Sequence, residues 1–504
     1  MMTKNKIGFS ILGLFLGFLF PHSLLAQSKS VKRGVGWDEK VRPLTIADAE
    51  RLQDGVSWVY NWGVSANNNL ETYNADNGIV FVPQCWNANF EESRLRTWLK
   101  THPNTRYLLG FNEPNFSSQA NMTPTEAAKA WPKLEQIAKD FHLKLVAPAL
   151  NFSGEKVGDR IWSPYEWLDA FLAAYPTAKI DALALHCYMN WYNAQTWFVT
   201  EYFYEDLYDP VKTDVYGKYP HLVKYFDTYG KKPMLLTEFC AWEGNKDGYT
   251  PTLENQIDQM TQKIQKLEQN DLVEGYAWFM ANPQKDVNTY PFNNMFTSSS
   301  AGSELSELGK VYVYMSPFDT NKYYTPGETI LAKDYIDASM DYTIVRPRPN
   351  TEEGSDIPLQ VELQKYSWTQ YQVTATTSGS YDLVLHGKWT EYSKPWIYVD
   401  GKKASTYIPI TANAWGDVST TIPLTAGHHL LQVYNAGNDI FLLSSLRLDE
   451  TTTINSVESE SSPQEIRYYD LSGRSVTNAS QGITTIKKVR TATNQLYTVK
   501  VIGR

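Results

Sequence analysis

Two glutamates directly follow apolar stretches of the sequence. Glu113 comes after Tyr107–Phe111 and Asn112, and Glu238 comes after Met234–Thr237. Burying a carboxylate there costs free energy unless the group faces a solvent-filled cleft or is paired with a hydrogen-bonding or positively charged partner. Paired carboxyl groups can hydrolyse a glycosidic bond, since one protonates the leaving oxygen while the other attacks the sugar or activates water. For either glutamate taken alone, a salt-bridged residue at the rim of the fold is an equal alternative.

The elements that would position these glutamates alternate along the first part of the chain. Short apolar runs are separated by stretches of helical period, which predicts a parallel sheet covered by helices. The predicted strands are Gly34–Trp37, Trp58–Trp62, Ile79–Trp86, Tyr107–Asn112, Leu143–Ala149, Ala182–Tyr188, Met234–Phe239 and Gly275–Met280. Eight such units in about 250 residues indicate an α/β fold of the (β/α)8 TIM-barrel type, here over residues 30–316. An open doubly wound sheet is the rival, but no glycine-rich phosphate loop follows any strand.

Five helices are predicted between these strands. They are Glu91–Lys100, Thr125–Phe141, Ser163–Ala174, Tyr219–Tyr229 and Leu253–Glu268. Thr123 and Pro124 suit the N-cap and first position of a helix, which places 112–122 in the loop after the fourth strand. In a barrel of this kind the active site lies at the carboxyl ends of the strands, so polar residues that end strands are the candidates for chemistry.

Composition and charge narrow the class of function. The 504 residues are 42% hydrophobic and 20% charged, and the net charge of −9 comes without a basic patch, so nucleic acid is not an expected partner. Sixteen Trp and 33 Tyr are many, and such rings stack on sugars, although a β-rich protein also uses them. Cys85, Cys187 and Cys240 are too few for a disulfide framework or a zinc site, and we expect all three to be buried.

Residues 1–26 are expected to be a secretory signal peptide. Lys4 and Lys6 give a basic start, Ile7–Phe20 is almost wholly apolar, and Ala26 offers a small residue for cleavage. The apolar run is short for a membrane span, and a retained anchor is the alternative. We therefore expect the protein to be exported, secreted or at the cell surface, without a transmembrane span after signal removal. We also expect it to be a monomer.

Three motifs near the predicted strand ends resemble glycoside hydrolase family 128, a clan A barrel family known mainly for β-1,3-glucanases. They are LLGFNEPN at Leu108–Asn115, LTEFCAW at Leu236–Trp242 and GYAWFMANP at Gly275–Pro283. The resemblance covers about residues 33–283, roughly half of the chain. It implies a retaining enzyme that works by double displacement on a polysaccharide, β-1,3-glucan in the first place.

The resemblance also implies roles for individual residues. Glu113 matches the general acid/base and Glu238 the nucleophile, so their carboxyl groups should lie about 5 to 5.5 Å apart. Asn112 matches the residue that hydrogen-bonds the 2-hydroxyl of the sugar at the cleavage point. No metal and no organic cofactor is implied.

Further residues at strand ends complete the predicted cleft. His186 and Tyr188, at the end of the sixth strand, match residues that hold the nucleophile and the substrate, although a lone histidine is otherwise a packed core residue. Trp278 matches the tryptophan that stacks under the sugar, which requires an exposed ring face. Glu243 is a weaker candidate for the nucleophile. Other tryptophans at strand ends, which could be sugar platforms or packing residues, are Trp62, Trp86, Trp191 and Trp242.

A different pattern begins after Pro317. Helical period gives way to short alternating runs separated by turns, which predicts a β-sandwich over residues 327–449. Segments of it resemble carbohydrate-binding modules of families 6 and 35, namely Ile330–Tyr335, Gly379–Leu383, Tyr398–Gly401 and Ala426–His429. A purely structural sandwich is the alternative.

The resemblance to binding modules implies a ligand site in the loops of the sandwich. Trp415 and Asn438 would lie there, and Trp389 and Trp396 are further candidates. Lys333 stands where such modules usually carry an acidic residue beside a structural calcium, which argues against that ion.

A polar linker and a small β-unit are predicted at the end of the sequence. Residues 450–463 are rich in Ser and Thr. Residues 464–504 resemble the C-terminal sorting domains of type IX secretion at Tyr468–Arg474 and Tyr497–Lys500, whereas Gly482–Thr485 departs from the usual pattern.

The leading hypothesis is a secreted endo-β-1,3-glucanase. Another clan A glycanase, acting on mannan, xylan or mixed-linkage glucan, would use the same chemistry with other subsites. A glycan-binding surface protein whose barrel is inactive is the third possibility, and the presence of Glu113, Asn112 and Glu238 together argues against it.

Overall fold

The computed structural model divides the chain into two compact units, Met1–Glu450 and Thr451–Arg504. The described residues are 28–66, 78–188, 200–209, 219–241, 252–282, 292–340, 343–405, 408, 410, 413–451, 465–469, 475–476, 484–490 and 496–502. The predicted signal peptide lies outside them.

A closed parallel sheet forms the first part of the larger unit. In chain order the strands are β1 (Arg33–Gly36), β2 (Trp58–Tyr60), β3 (Val80–Phe81), β4 (Tyr107–Leu109), β5 (Lys144–Leu150), β6 (Lys156–Val157), β7 (Arg160–Ile161), β8 (Ala182–Cys187), β9 (Met234–Phe239) and β10 (Val273–Trp278). All but the β6–β7 hairpin form one sheet, ordered β3-β2-β1-β10-β9-β8-β5-β4. The N–H of Leu109 donates to Pro83 O at 2.9 Å, and the N–H of Cys85 donates to Leu109 O at 3.0 Å. These bonds join β4 to the segment after β3, the last and first strands of this order, and so close the sheet. The predicted eight-stranded parallel sheet is confirmed.

Helices cover the outside of this sheet. They are α1 (Ile46–Leu52), α2 (Glu92–Thr101), α3 (Pro124–Asp140), α4 (Pro164–Ala174), α5 (Thr200–Tyr208), α6 (Pro220–Tyr229), α7 (Leu253–Gln269) and α8 (Glu307–Tyr314). Thr123 caps α3 and Glu126 closes the capping box, so the predicted helix start is confirmed. α1, α5 and α8 are not among the helices predicted from the sequence.

The barrel strands carry two separate apolar groups. One group lies inside the barrel and consists of Trp58, Tyr60, Val82, Leu109, Val146, Ala149, Ala182, Ala184, Leu235 and Ala277. The other fills the layer between sheet and helices and continues into the sandwich. Because side chains alternate along a strand, neighbours such as Ala277 and Trp278 belong to different groups.

Two antiparallel sheets follow the barrel, over the residues for which a sandwich is predicted. Their strands are β11 (Thr329–Leu331), β12 (Asp337–Ala338), β13 (Val345–Pro349), β14 (Leu359–Leu363), β15 (Trp368–Ala375), β16 (Gly379–Lys388), β17 (Pro395–Val399), β18 (Lys402–Ser405), β19 (Trp415–Leu424), β20 (Gly427–Asn435) and β21 (Phe441–Glu450). One sheet is ordered β13-β14-β21-β16-β19, with β11 on β21, and the other β12-β15-β20-β17-β18. Their facing apolar side chains share the core cluster.

Charged groups fix the sandwich to the barrel. Arg346 on β13 donates from Nε to Asp258 on α7 at 2.7 Å and from Nη1 to Glu362 on β14 at 2.8 Å. All three side chains are largely buried. Removing one partner of such a buried network leaves an uncompensated charge, so the network holds the two parts in one arrangement.

The smaller unit is a four-stranded antiparallel sheet. Its strands are β22 (Glu465–Tyr469), β23 (Ser475–Val476), β24 (Thr484–Arg490) and β25 (Leu496–Ile502), in the order β23-β22-β24-β25. Among the described residues, no helix is both long and apolar enough to cross a membrane. Cys85, Cys187 and Cys240 are buried free thiols, as predicted.

Candidate active site

Strand ends on one side of the barrel bring the two predicted carboxylates together. Glu113 follows β4, and its backbone N–H donates to Ala149 O on β5 at 2.9 Å. Glu238 lies in β9, paired with His186 of β8. Glu113 has φ +43°, a left-handed backbone that costs about 1 to 3 kcal/mol for a residue with a side chain, so the surrounding fold holds it there.

His186 bridges the two carboxyl groups. Its Nδ1 lies 2.8 Å from Glu113 Oε1 and 3.4 Å from Glu238 Oε2, and one ligand atom from each of the three residues lies within 4.8 Å of the others. Both carboxylates are buried, with 7% and 5% of their surface exposed. The spacing of two carboxyl groups decides whether one of them can attack the sugar directly or must activate a water, and these two approach each other closely.

Two donors from neighbouring strands point at Glu238. Trp62 donates from Nε1 to Oε1 at 2.7 Å, and the hydroxyl of Tyr188 donates to Oε2. The hydroxyl of Tyr60 lies 3.4 Å from Oε1 but donates to the backbone oxygen of Thr237 at 2.8 Å. Hydrogen bonds to a carboxylate favour its ionised form. Trp62, like Glu113, has a positive φ, +58°, which turns its indole toward the carboxyl.

Burial and a neighbouring negative charge oppose the effect of these donors on the pKa of Glu238. Burial raises the pKa of Glu238, and the charge of Glu113 adds to the rise, although His186 acts against it. Burial also acts to lower the pKa of His186, but the charges of Glu238 and Glu113 outweigh it and hold that pKa above its usual value. Two adjacent buried carboxyls do not ionise together easily, so the pair is suited to keep one proton.

The second ring nitrogen of His186 fixes the orientation of the ring. Nε2 lies 3.0 Å from Oγ1 of Thr237, the residue before Glu238. Because Nδ1 faces only carboxylate oxygens, it is the nitrogen that carries a proton. Among the described residues, Glu113, His186 and Glu238 lie close enough together to hold a metal ion, but Nδ1 of His186 carries a proton between the two carboxylates and so offers no lone pair, which makes the set a hydrogen-bonded one.

Asn112 is buried beside Glu113. Its side chain contacts Gln84 Nε2 and Gln119 Oε1, each at 3.4 Å. Trp86, half-buried in the segment that follows β3, accepts the backbone N–H of Asn112 on its main-chain oxygen at 2.9 Å. Their predicted contacts with sugar stay predictions.

The prediction for Trp278 is wrong in one respect, because its ring has no exposed face. Trp278 is fully buried, donates from Nε1 to Asn293 O at 2.8 Å, and packs on Phe239 and Tyr312. Its neighbour Ala277 points into the barrel, so the alternation of β10 directs Trp278 toward the helix layer. No sugar-stacking role is proposed for it.

Phe279, the next residue, lies at the mouth instead. Its half-buried ring is 5.9 Å from that of Trp62 and 5.4 Å from that of Tyr188. Phe279, Tyr60 and Asn151 are site residues that the sequence reasoning missed. Each lies in or directly after a barrel strand, and inspecting every strand end would have found Asn151 and Phe279. Trp191, Trp242 and Glu243 lie outside the described residues.

Three loops meet at one end of the sandwich, around the predicted binding residues. Trp389 N–H donates to Ala414 O at 3.1 Å, and Ala436 N–H to Lys394 O at 3.0 Å. Trp415 begins β19, Asn438 is exposed after β20, and Tyr392 is 59% exposed between β16 and β17.

The remaining candidates of the sandwich have structural partners. Trp389 is buried against Phe441, and the ring of Trp396 is covered by the ammonium of Lys403 at 3.4 Å. Lys333 places its ammonium 2.5 Å from the carboxylate of buried Asp334.

Known proteins share the barrel part of this chain. Residues 34–312 match the model of a protein family described as the glycosyl hydrolase catalytic core. Alkali-sensitive linkage protein 1 of Schizosaccharomyces pombe is 26% identical over 294 residues, which are 57% of this chain and 45% of that protein. The chain therefore matches less than half the length of this curated relative.

Solved structures of glucanases are also similar. A family 128 (subgroup II) endo-β-1,3-glucanase from Pseudomonas viridiflava is 36% identical, and the match covers 57% of this chain and 98% of that one with a TM-score of 0.44. One from Sorangium cellulosum is 26% identical, covering 56% and 98% with a TM-score of 0.42. A curdlan-specific exo-β-1,3-glucanase from Blastomyces gilchristii is 22% identical, covering 57% and 100% with a TM-score of 0.39.

Proposed function

Because this chain belongs to the glycosyl hydrolase catalytic core family and is a glycoside hydrolase, we propose that it is a retaining endo-β-1,3-glucanase of glycoside hydrolase family 128. The observation that supports the mechanism is the approach of Glu113 and Glu238, since one carboxyl oxygen of each lies within 4.8 Å of one carboxyl oxygen of the other. Inverting pairs stand about 6.5 to 9.5 Å apart.

In the first step Glu113 protonates the glycosidic oxygen while Glu238 attacks the anomeric carbon. The bond to the leaving chain breaks, and a covalent glycosyl–Glu238 ester forms. The donors on Glu238 favour its ionised form and aim it before attack, since Trp62 and Tyr188 hold one oxygen each.

In the second step water replaces the departed chain. Glu113, now ionised, takes a proton from the water as it attacks the anomeric carbon, and Glu238 leaves as a carboxylate. The same donors from Trp62 and Tyr188 stabilise the charge that returns to Glu238. Two inversions at the anomeric carbon give net retention.

The assignment of β-1,3-glucan rests on the sequence. The Asn-Glu-Pro and Thr-Glu motifs resemble family 128, and the 36% identity to a protein described as an endo-β-1,3-glucanase spans nearly all of that enzyme. Aromatic rings at the mouth, Trp62, Tyr188 and Phe279, suit the apolar faces of glucose. Mannan, xylan and mixed-linkage glucan remain the alternative substrates with the same chemistry.

Product analysis tests this assignment. We expect the protein to release a ladder of oligosaccharides from laminarin and little from mannan or xylan, measured by chromatography of early products. Glucose alone as the early product would replace endo by exo action. Release from only another glycan would keep the mechanism and discard the substrate, and no release from any of them would contradict the proposal.

We also propose that the loop end of the sandwich binds glucan. Tyr392 and Asn438 are exposed at this end, Trp415 lies there as well, and aromatic rings can stack on the apolar faces of sugars. We expect Tyr392→Ala and Trp415→Ala to weaken retention of the full chain on insoluble β-1,3-glucan while hydrolysis of soluble laminarin is unchanged. Equal retention of the variants and the wild type would contradict binding at this end.

Export is proposed on the signal-like residues 1–26, with the sorting-like residues 464–504 as a second indication. N-terminal sequencing of protein from the medium of the cells that make it should begin near Gln27. Retention of Met1 on protein inside the cells would contradict export.

A further inference from the structure

Asn151 contacts the proposed acid/base, and the mechanism above gives it no part. β5 ends at Leu150, and the parallel pairing of β4 with β5 brings the next residue beside Glu113. Asn151 donates from Nδ2 to Glu113 Oε1 at 3.1 Å. The residue is half-buried, so it also borders the cleft.

Backbone contacts fix the amide of Asn151. Its Oδ1 accepts the N–H of Phe152 at 2.8 Å, so the oxygen end is occupied and the amino end faces the carboxyl. Its main-chain oxygen accepts Nδ2 of Asn115 at 2.6 Å, and Asn115 is fully buried. The segment that supplies Glu113 therefore also anchors the group that donates to it.

Glu113 Oε1 accepts from two N–H groups. His186 Nδ1 lies 2.8 Å away and Asn151 Nδ2 3.1 Å away. An oxygen with two such donors is an unfavourable place for a proton, since the added hydrogen would face both of them. The proton of the neutral carboxyl therefore belongs on Oε2.

We propose that Asn151 is a positioning residue that, together with His186, confines the transferable proton of Glu113 to Oε2. The inference rests on the proposed function. In the first step, confining the proton to Oε2 presents one defined O–H of Glu113 to the glycosidic oxygen. In the second step the amide stabilises the ionised Glu113 that must accept a proton from water.

Two substitutions separate this role from a structural one. Asn151→Ala removes the donor and the acceptor, whereas Asn151→Asp keeps an acceptor for the N–H of Phe152 but places a like charge beside Glu113. A structural role predicts that Asp is tolerated better than Ala. The positioning role predicts the reverse order near neutral pH, because a carboxylate repels the ionised Glu113.

The experiment measures kcat and KM on laminarin across pH for the full-length variants. For Asn151→Ala we expect kcat to fall about 10- to 100-fold with little change in KM. The alkaline limb of the profile should move to higher pH in both variants, since the proton on Glu113 is then lost less easily. With an activated aryl glycoside, whose leaving group needs little protonation, the loss should shrink.

Controls and outcomes keep the two proposals apart. Asn321→Ala, at an exposed asparagine beyond the barrel, should match the wild type, and thermal unfolding should show that the Asn151 variants fold. Unshifted pH profiles, or Asp nearer to wild type than Ala, would overturn the role of Asn151 while the glucanase proposal stands. A wild type that hydrolyses no glucan would overturn the proposed function, and this inference with it.

Discussion

Replacing Glu238 by glutamine is expected to lower kcat on β-1,3-glucan by about 10⁴-fold or more, the scale seen when a nucleophile is removed. The amide of Glu238→Gln has no charge with which to form the glycosyl–enzyme ester. It can still accept the indole N–H of Trp62, so substrate binding and the geometry of the mouth should be retained. Reducing ends released from laminarin at saturating substrate measure the effect.

Stability provides a second readout for the same variant. Burial raises the pKa of Glu238, which means that the folded protein disfavours its charge near neutral pH, and the neighbouring Glu113 adds to this. The melting temperature of Glu238→Gln should therefore equal or exceed that of the wild type. Glu243→Gln is the matched control, because Glu243 is the competing candidate for the nucleophile. Loss of activity in Glu243→Gln with activity kept in Glu238→Gln would reverse the assignment.

Replacing Glu113 by glutamine is expected to lower kcat on laminarin by about 10² to 10⁴, the range of general acid–base catalysis. Without an acid, the leaving sugar must depart as an alkoxide. An aryl β-glucoside with a good leaving group needs no such help, so its first step should survive and its glycosyl–enzyme should accumulate. Azide, which attacks without base catalysis, should then restore turnover and give a β-glycosyl azide.

The comparison of substrates makes the Glu113 prediction specific. Equal losses with laminarin and with the activated glycoside would contradict an acid/base role, and so would a failure of azide to accelerate turnover. Glu155→Gln is a suitable control, because Glu155 only joins two loops by accepting from Ser117 and Ser118.

Periodicity and motif were sufficient for much of this fold. Apolar runs alternating with helical period predicted the eight parallel strands, because such runs are buried on both faces only in a helix-covered parallel sheet. The Thr123–Pro124 signal located the start of α3. α1, with 7 residues, and α5, with 9, are short, and so carry too little periodicity to stand out.

Trp278 shows where the sequence reasoning failed. The motif placed a tryptophan at the right strand end, but one step along a strand reverses the face of the sheet. Ala277 faces the barrel interior, so Trp278 faces the helices and Phe279 reaches the mouth. Asn151 was missed for another reason: its role depends on contacts with Phe152, Asn115 and Glu113 that no periodicity encodes.

The configuration of the first products tests the central claim, that Glu113 and Glu238 act as a retaining pair. Proton NMR of laminarin during the first minutes of hydrolysis, before mutarotation, separates the anomeric signals of the new reducing ends. The approach of the two carboxyl groups predicts that the β-anomer appears first and the α-anomer only as mutarotation proceeds. Initial appearance of the α-anomer would mean inversion by a single displacement, and would contradict Glu238 as the nucleophile.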